Sequence, residues 1–297
     1  MDGTCNGFQH ISALRRDPCG AQYTNLQPSD TPQDLYGVVL ERLMEAINSD
    51  TGEEATFLKS KLGEMDRNLV KKAVMATPYG ISRHTIATGL FKLDLVKSAE
   101  PKELRNKIPN YLSNKLFECI KATVDPNNLL TEWLMDAASR LADLGLCIEW
   151  EAPSGFLVVQ SEWKTEVTEI GTEAPTMMVY EPKTPLEIDP GKQRSKIVPN
   201  FIHSLDAAHL VLTINRLSSC ENLRHFGVVH DSYAVHGCDV DTLNRVLREE
   251  FVERYQNLDL SNFPINKEIE GQNVIEPPPA RGSFDIQQVL NSDYFFS

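Results

Sequence analysis

The sequence predicts an α+β chain, mostly helical, in which a small antiparallel sheet carries two acidic residues from opposite ends of the chain. Three observations give this class. Apolar residues recur at helical spacing through much of the first 145 positions, and again over 202–217 and 239–258. Short apolar runs bounded by turn residues follow Gly145 and surround Asp231. Asp2 and Asp231, 229 positions apart, each stand in a segment that reads as a strand end.

The elements follow in order. A short helix is expected over 8–16, directly after Asp2. A second begins near Thr31-Pro32, since proline suits the first helical position, and buries Leu35, Val38, Val39, Leu43 and Ile47. A third covers 67–77; Pro78 disfavours helix at Thr77, so Tyr79-Gly80 falls on a bend. Further helices are expected over 110–123 and 128–144. Residues 147–150 and 156–160 read as strands joined at the turn Pro153-Ser154-Gly155. From 163 to 188 the chain is rich in Thr, Val, Pro and Glu without a helical period, which predicts a protruding hairpin or long loop. Residues 226–229 and 234–235 read as strands flanking His230-Asp231-Ser232 at a tight turn. The tail opens at Glu276 with three prolines.

Composition bounds the function. A length of 297 residues allows two domains, or one with an insertion, and 41% hydrophobic content fits a soluble globular chain. No unbroken apolar run approaches the ~18 residues of a membrane span, and the first residues lack a signal-peptide pattern. The six cysteines include no CxxC pair, which points away from a zinc ribbon or a disulfide framework. His10, His209, His225 and His236 have no metal-ligand spacing and read as structural or surface residues. A net charge of −13 excludes a generally basic, nucleic-acid-coating surface. A cleft needs only a local basic stripe, which Arg67, Lys71, Lys72 and Arg83 can begin to supply.

Chemistry is concentrated in few residues. Any single aspartate is more often a turn cap than a ligand, and two cations on a helix are usually a solvated face. Here two carboxylates occur with Arg67-x3-Lys71-x7-Tyr79-Gly80. Arg67 and Lys71, four residues apart, share one helix face, where they can neutralise a triphosphate. Lys72 points elsewhere. Two carboxylates can hold a pair of Mg2+ ions around an in-line displacement, so the constellation suits nucleotidyl transfer.

These segments, with Pro199-Asn200-Phe201-Ile202-His203-Ser204 and the terminal Ser292-Asp293-Tyr294-Phe295-Phe296-Ser297, give the chain a family likeness. Over nearly all its length it resembles the single-subunit DNA-dependent RNA polymerases of phages and mitochondria. The resemblance implies a right-hand polymerase fold: a partial palm with a fingers insertion, lacking the thumb and the N-terminal domain. Residues 1–18 would be a palm segment with the first acid. Residues 19–203 would be fingers, including a protruding hairpin at about 163–188. Residues 204–297 would be a palm segment with the second acid and a C-terminal foot.

The same resemblance implies residue roles. Asp2, the Gly3 carbonyl and Asp231 hold two Mg2+ ions, and Lys71 donates a proton to the pyrophosphate leaving group. Arg67 and Lys71 bind the triphosphate. Tyr79 and His203 recognise the ribose 2'-hydroxyl. Gly7 stands where related DNA polymerases carry a bulky acid that blocks that hydroxyl, and Met75 where they carry an aromatic. Lys72, His84 and His230 contact nucleic acid, although His84 replaces an aromatic usual in the family. The hairpin takes the place of a promoter-reading loop, yet it is acidic, with Glu162, Glu166, Glu169, Glu173, Glu181 and Glu187 against Lys164 and Lys183.

In the family the first acid is preceded by hundreds of residues, whereas here it is residue 2. The expected partners are therefore a DNA template, nascent RNA, ribonucleoside triphosphates and an N-terminal polymerase half on a separate chain, with no membrane. The expected location is the cytoplasm, that of a bacterial host if the chain is phage-encoded. The expected function is the C-terminal catalytic part of a DNA-directed RNA polymerase, which adds ribonucleotides to an RNA 3' end by two-metal catalysis. Two alternatives stand beside it: a catalytically inert fragment that binds nucleic acid or the polymerase, and a related DNA polymerase.

Overall fold

Side-chain caps set where several of the helices begin. A computed structural model of the chain describes residues 1–124, 129–170 and 177–296. In its first part are α1 (Asn6–Arg15), α2 (Pro18–Tyr23), α3 (Leu35–Ser49), α4 (Glu53–Lys59), α5 (Arg67–Ala76), α6 (Arg83–Leu90), α7 (Asp94–Lys97) and α8 (Lys102–Thr123). Asp17, Asp34, Asp66 and Ser82 cap α2, α3, α5 and α6, each side chain accepting from backbone N–H groups of the first turn. After these come α9 (Leu129–Asp143), the strands β1 (Ile148–Glu151), β2 (Leu157–Gln160), β3 (Thr165–Ile170) and β4 (Met177–Pro182), and α10 (Pro190–Ser219). The chain closes with β5 (Phe226–Val229), β6 (Ser232–Val235), α11 (Val240–Asn257), β7 (Glu268–Ile269) and β8 (Gln272–Asn273).

Helix starts are where the sequence misled. Helix α3 begins at Leu35, not at Thr31-Pro32, because Asp34 holds the Tyr36 N–H and leaves Pro32 outside the helix. Its buried stripe is Leu35, Val39, Leu43 and Ile47, the i, i+4 face, joined by Tyr36. Val38 lies off that stripe and is half-exposed. Helix α8 runs from Lys102 straight through Pro109, with Leu104, Ile108 and Leu112 buried on either side of the proline. Tertiary burial outweighs the lost hydrogen bond there. Helix α10 begins at Pro190 and continues through Pro199 for the same reason, burying Ile197, Val198 and Phe201 around it. Among the described residues, α10 alone is long and apolar enough to cross a membrane by length and composition. That stretch is apolar on average rather than unbroken, which is why no such run was expected. Half of it is buried in protein, as in a core helix.

The chain divides into two compact units. The first comprises Met1–Asn128, Leu205–Leu258 and Ala280–Ser297. In it α8 packs against α3, α4, α5, α6 and α7, and a second core gathers His10, His209, Phe251, Tyr255, Phe295 and Phe296. The second unit comprises Leu129–Ser204 and Asp259–Pro279. Its core is aromatic: Phe263 lies between Trp133, Trp150 and Phe201, with ring centroids 5.0–6.0 Å away. The Trp150 indole donates to Ser204 Oγ at 3.0 Å. Strands β3 and β4 pair in one antiparallel ladder from Thr165↔Pro182 to Ile170↔Met177, and Trp163 bridges Ile188. Asn128, Glu173 and Ser297, named in the expectations above, lie outside the described residues.

Candidate active site

All the described sheets are two-stranded hairpins, and one of them gains an extra strand segment. Strands β5 and β6 are joined by the two-residue turn His230-Asp231, with Val229 opposite Ser232. His230 takes the left-handed conformation (φ 53°) that so tight a connection favours. Residues 1–3 then lie along β6. Asp2 bridges Ser232, the Tyr233 N–H donates to the Met1 carbonyl at 2.8 Å, and the Gly3 N–H donates to the Asp231 carbonyl at 3.1 Å. Gly3 also bridges Phe296, so the C-terminal segment flanks the same edge.

This pairing brings the two acids together. The Ser232 hydroxyl donates to Asp2 Oδ1 at 2.7 Å. A Cβ at Gly3 would lie 3.3 Å from both Cβ and Oδ2 of Asp231, so glycine lets the two strands close tightly beside that carboxylate. Burial pushes the Asp231 carboxyl above its ordinary range, and the negative charges of Asp2 and Asp206 push it further. Two carboxylates forced into mutual repulsion, with oxygen donors only, suit a hard divalent cation. Among the described residues no group of three or more His, Cys, Asp or Glu side chains converges as a ready-made metal cage. A cation held by Asp2, Asp231 and the Gly3 carbonyl would complete its shell with substrate oxygens and water.

Helix α5 supplies the cationic wall. It buries Leu69, Val70, Ala73 and Val74 and leaves Lys71 and Lys72 exposed. Both lysines line one hollow of about 470 Å3, with Asn68, Met75, Ala76 and Tyr79. Lys72 also lines a second hollow that Lys71 does not reach, with Leu69, Ile86 and Leu93, and its Nζ lies beside Gly89 of α6. Arg67 is already partnered. Its Nε donates to Asp34 Oδ2 at 2.9 Å, and its guanidinium lies 4.3 Å over the Tyr36 ring. Arg83, the fourth expected cation of the stripe, stacks on Phe117.

After α5 the chain bends at Tyr79-Gly80, with Gly80 in the left-handed region (φ 75°). Tyr79 then meets α1. A Cβ at Gly7 would fall 2.7 Å from Pro78 Cβ and 3.0 Å from Tyr79 Cζ. Gly7 is thus the space into which Tyr79 packs. His84 is exposed in the first turn of α6, and His230 is exposed in the β5–β6 turn. His203 is exposed on the part of α10 that belongs to the second unit.

Two buried polar residues next to this site, Asn6 and Asp206, escaped the sequence, and His10, read there as structural or surface, is buried beside them. Asn6 Nδ2 donates to Asp206 Oδ1 at 2.8 Å, and His10 Nε2 lies 3.8 Å from the same oxygen. His10 Nδ1 is 2.5 Å from the Tyr255 hydroxyl. Burial alone would raise the Asp206 carboxyl, but the His10 ring and the Asn6 amide more than offset it, and its pKa falls below the ordinary value. One signal was available: Asp206, His209 and Thr213 recur at i, i+3 and i+7 on a helix whose buried side is otherwise apolar.

The sequence matches the model of the DNA-dependent RNA polymerase family over residues 1–273. The chain belongs to that family. It is of the phage-type, single-subunit kind. It is 32% identical to the mitochondrial DNA-directed RNA polymerase of Homo sapiens and to DNA-directed RNA polymerase 1, mitochondrial, of Arabidopsis thaliana. It is 33% identical to DNA-directed RNA polymerase 3, chloroplastic, of Nicotiana sylvestris. Each alignment covers 100% of this chain, but 25%, 31% and 31% of those relatives. The chain thus spans a quarter to a third of the length of the curated polymerases it matches.

Proposed function

We propose that this chain is the C-terminal catalytic part of a single-subunit, DNA-directed RNA polymerase, a nucleotidyltransferase that adds ribonucleotides to an RNA 3' end. The observation that carries the reading is the pairing of the Asp2 segment with the Asp231 hairpin. It joins carboxylates 229 positions apart, in the same unit as a lysine-lined hollow. In this reading residues 1–18 and 204–297 are palm, residues 19–203 are fingers, and the thumb and N-terminal domain of the right-hand fold lie on other residues.

Asp2, Gly3 and Asp231 would hold two Mg2+ ions, which supply charge neutralisation and an activated 3'-hydroxyl when bound. The chain's own residues do the rest. Lys71 faces the triphosphate from the α5 hollow and gives its proton to the departing pyrophosphate. Arg67 exchanges Asp34 for a phosphate when the nucleotide arrives. Tyr79 reads the 2'-hydroxyl, while Lys72, His84 and His230 contact template or RNA. Gly7 and Met75 favour this reading over a DNA polymerase, since the space a bulky acid would need at position 7 is filled by Tyr79.

The partner in this reading is a separate N-terminal half, and the location is the cytoplasm, without membrane attachment. The test is ribonucleotide incorporation on a primed DNA template with Mg2+. The chain is assayed alone, with a matched N-terminal half, and with Asp231→Ala in that mixture. Activity confined to the mixture, and lost with Asp231→Ala, is the expected result. An inactive mixture in which the two halves still bind would instead support the inert-fragment reading.

A further inference from the structure

We infer that Asn6 and Asp206 form a buried positioning pair that fixes the Tyr79 hydroxyl as a hydrogen-bond donor and so sets the preference for ribose over deoxyribose. The inference rests on the polymerase reading above and adds two residues to it.

An ionised carboxylate only accepts hydrogen bonds. Asp206 therefore decides which end of the Asn6 amide faces it: the nitrogen does, at 2.8 Å, and the amide cannot flip without turning oxygen against oxygen. Both residues are more than nine-tenths buried, Asn6 at 6% exposure and Asp206 at 7%, so water is a poor substitute for either partner. The amide nitrogen carries two protons. Asp206 takes one, and the other is free for the Tyr79 hydroxyl, which interacts with Asn6; burial, then the charges of Asp206 and Asp231, push the phenol's pKa up, so the oxygen keeps its own proton. The next residue, Gly7, has its missing Cβ filled by the tip of the Tyr79 ring, so the phenol is pressed against this end of α1.

A phenol oxygen that accepts from an amide directs its own proton to another acceptor. The 2'-hydroxyl of a ribonucleotide can be that acceptor, and a deoxyribonucleotide has nothing to offer in its place. A site arranged to bond a substrate hydroxyl rejects the analogue that lacks it more strongly than a merely shaped pocket does. The pair touches Tyr79 and not the nucleotide. Asn6 and Asp206 are therefore positioning residues.

The test compares Asn6→Asp, Asp206→Asn and the exchanged double variant with the unmodified chain, each assembled with the N-terminal half. Both single variants should lower the ribose-to-deoxyribose ratio of kcat/KM by about tenfold or more. The exchange restores a hydrogen bond between positions 6 and 206 but presents a carboxylate to Tyr79. It should recover thermal stability relative to the singles while the ribose preference stays lost. Recovery of both would mean a purely structural role and overturn the inference, as would single variants with an unchanged ratio. The full chain alone, labelled at tyrosine 13Cζ and assigned with Tyr79→Phe, gives a second readout. If the unmodified assembly incorporates nothing, the polymerase reading fails and that resonance decides. A Tyr79 signal that shifts in both singles supports the pair, and one unmoved in every variant overturns it.

Discussion

The Ser232 hydroxyl donates a 2.7 Å hydrogen bond to Asp2 Oδ1, so the residue after the second acid holds the side chain of the first. Replacing Ser232 with alanine removes that hold while keeping the strand pairing. Such a bond contributes ~1 kcal/mol. Ser232→Ala should lower stability by about that much in urea titration. It should reduce ribonucleotide incorporation about tenfold at limiting Mg2+, with partial recovery at high Mg2+.

Asp231 is held in a position that disfavours its own charge. Its folded pKa lies above its unfolded value, so its contribution to stability falls as pH rises through the carboxylate range. Asp231→Asn should therefore stabilise the metal-free chain by ~0.5–2 kcal/mol, the usual gain when a strained functional group is neutralised. Melting curves at pH 4 and pH 8 check the sign: the gain should be the larger at pH 8, where the aspartate is charged. Polymerase activity should disappear in the same variant.

Gly7 has no room for a methyl group. With Pro78 Cβ at 2.7 Å and Tyr79 Cζ at 3.0 Å from the position it would take, Gly7→Ala must push the Tyr79 segment away from α1. Overpacking of this kind costs roughly 1–3 kcal/mol. Urea unfolding should show that loss. Nucleotide selection should degrade with it, because the displaced ring no longer meets Asn6.

His209 gives the fold an acid-sensitive point. Burial, then the nearby charges of Arg254 and His10, push its pKa down to about 3, and its Nε2 lies 3.1 Å from the Leu247 carbonyl. The unfolded chain takes up this proton below the ordinary histidine value and the folded chain does not. The stability it contributes is thus complete above about pH 6.5 and lost as pH falls toward 3. His209→Gln should be less stable than the unmodified chain at pH 7.5. The gap should narrow at pH 5 by ~2 kcal/mol, read from paired denaturant titrations.

Much of the site was legible because its chemistry sits in local patterns. The α5 face and the bend after it follow from spacing and Pro78, and the β5–β6 turn from two apolar runs around His230-Asp231-Ser232. What the sequence hid depends on partners distant along the chain. Arg67 looks like a bare cation until Asp34, 33 positions earlier, is folded beside it. Asp206 looks like one polar residue on a long helix until α1 brings Asn6 and His10 to it. Helix starts were misjudged at Pro109 and Pro199 because local propensity could not weigh the burial on either side of each proline.

The bridge between Asp2 and Ser232 also puts this site on a clock. Those residues are 230 positions apart, and a ribosome adding ~5–20 residues per second takes on the order of 10–50 s to travel between them. Throughout that interval α1, buried along residues 6–14 in the finished fold, has been translated but lacks α11, on which His10 packs. The helices from α3 to α8 can already gather around their own core. A nascent chain released before Asp231 emerges would carry the lysines and the tyrosine on a well-packed scaffold, yet would have nowhere to do chemistry.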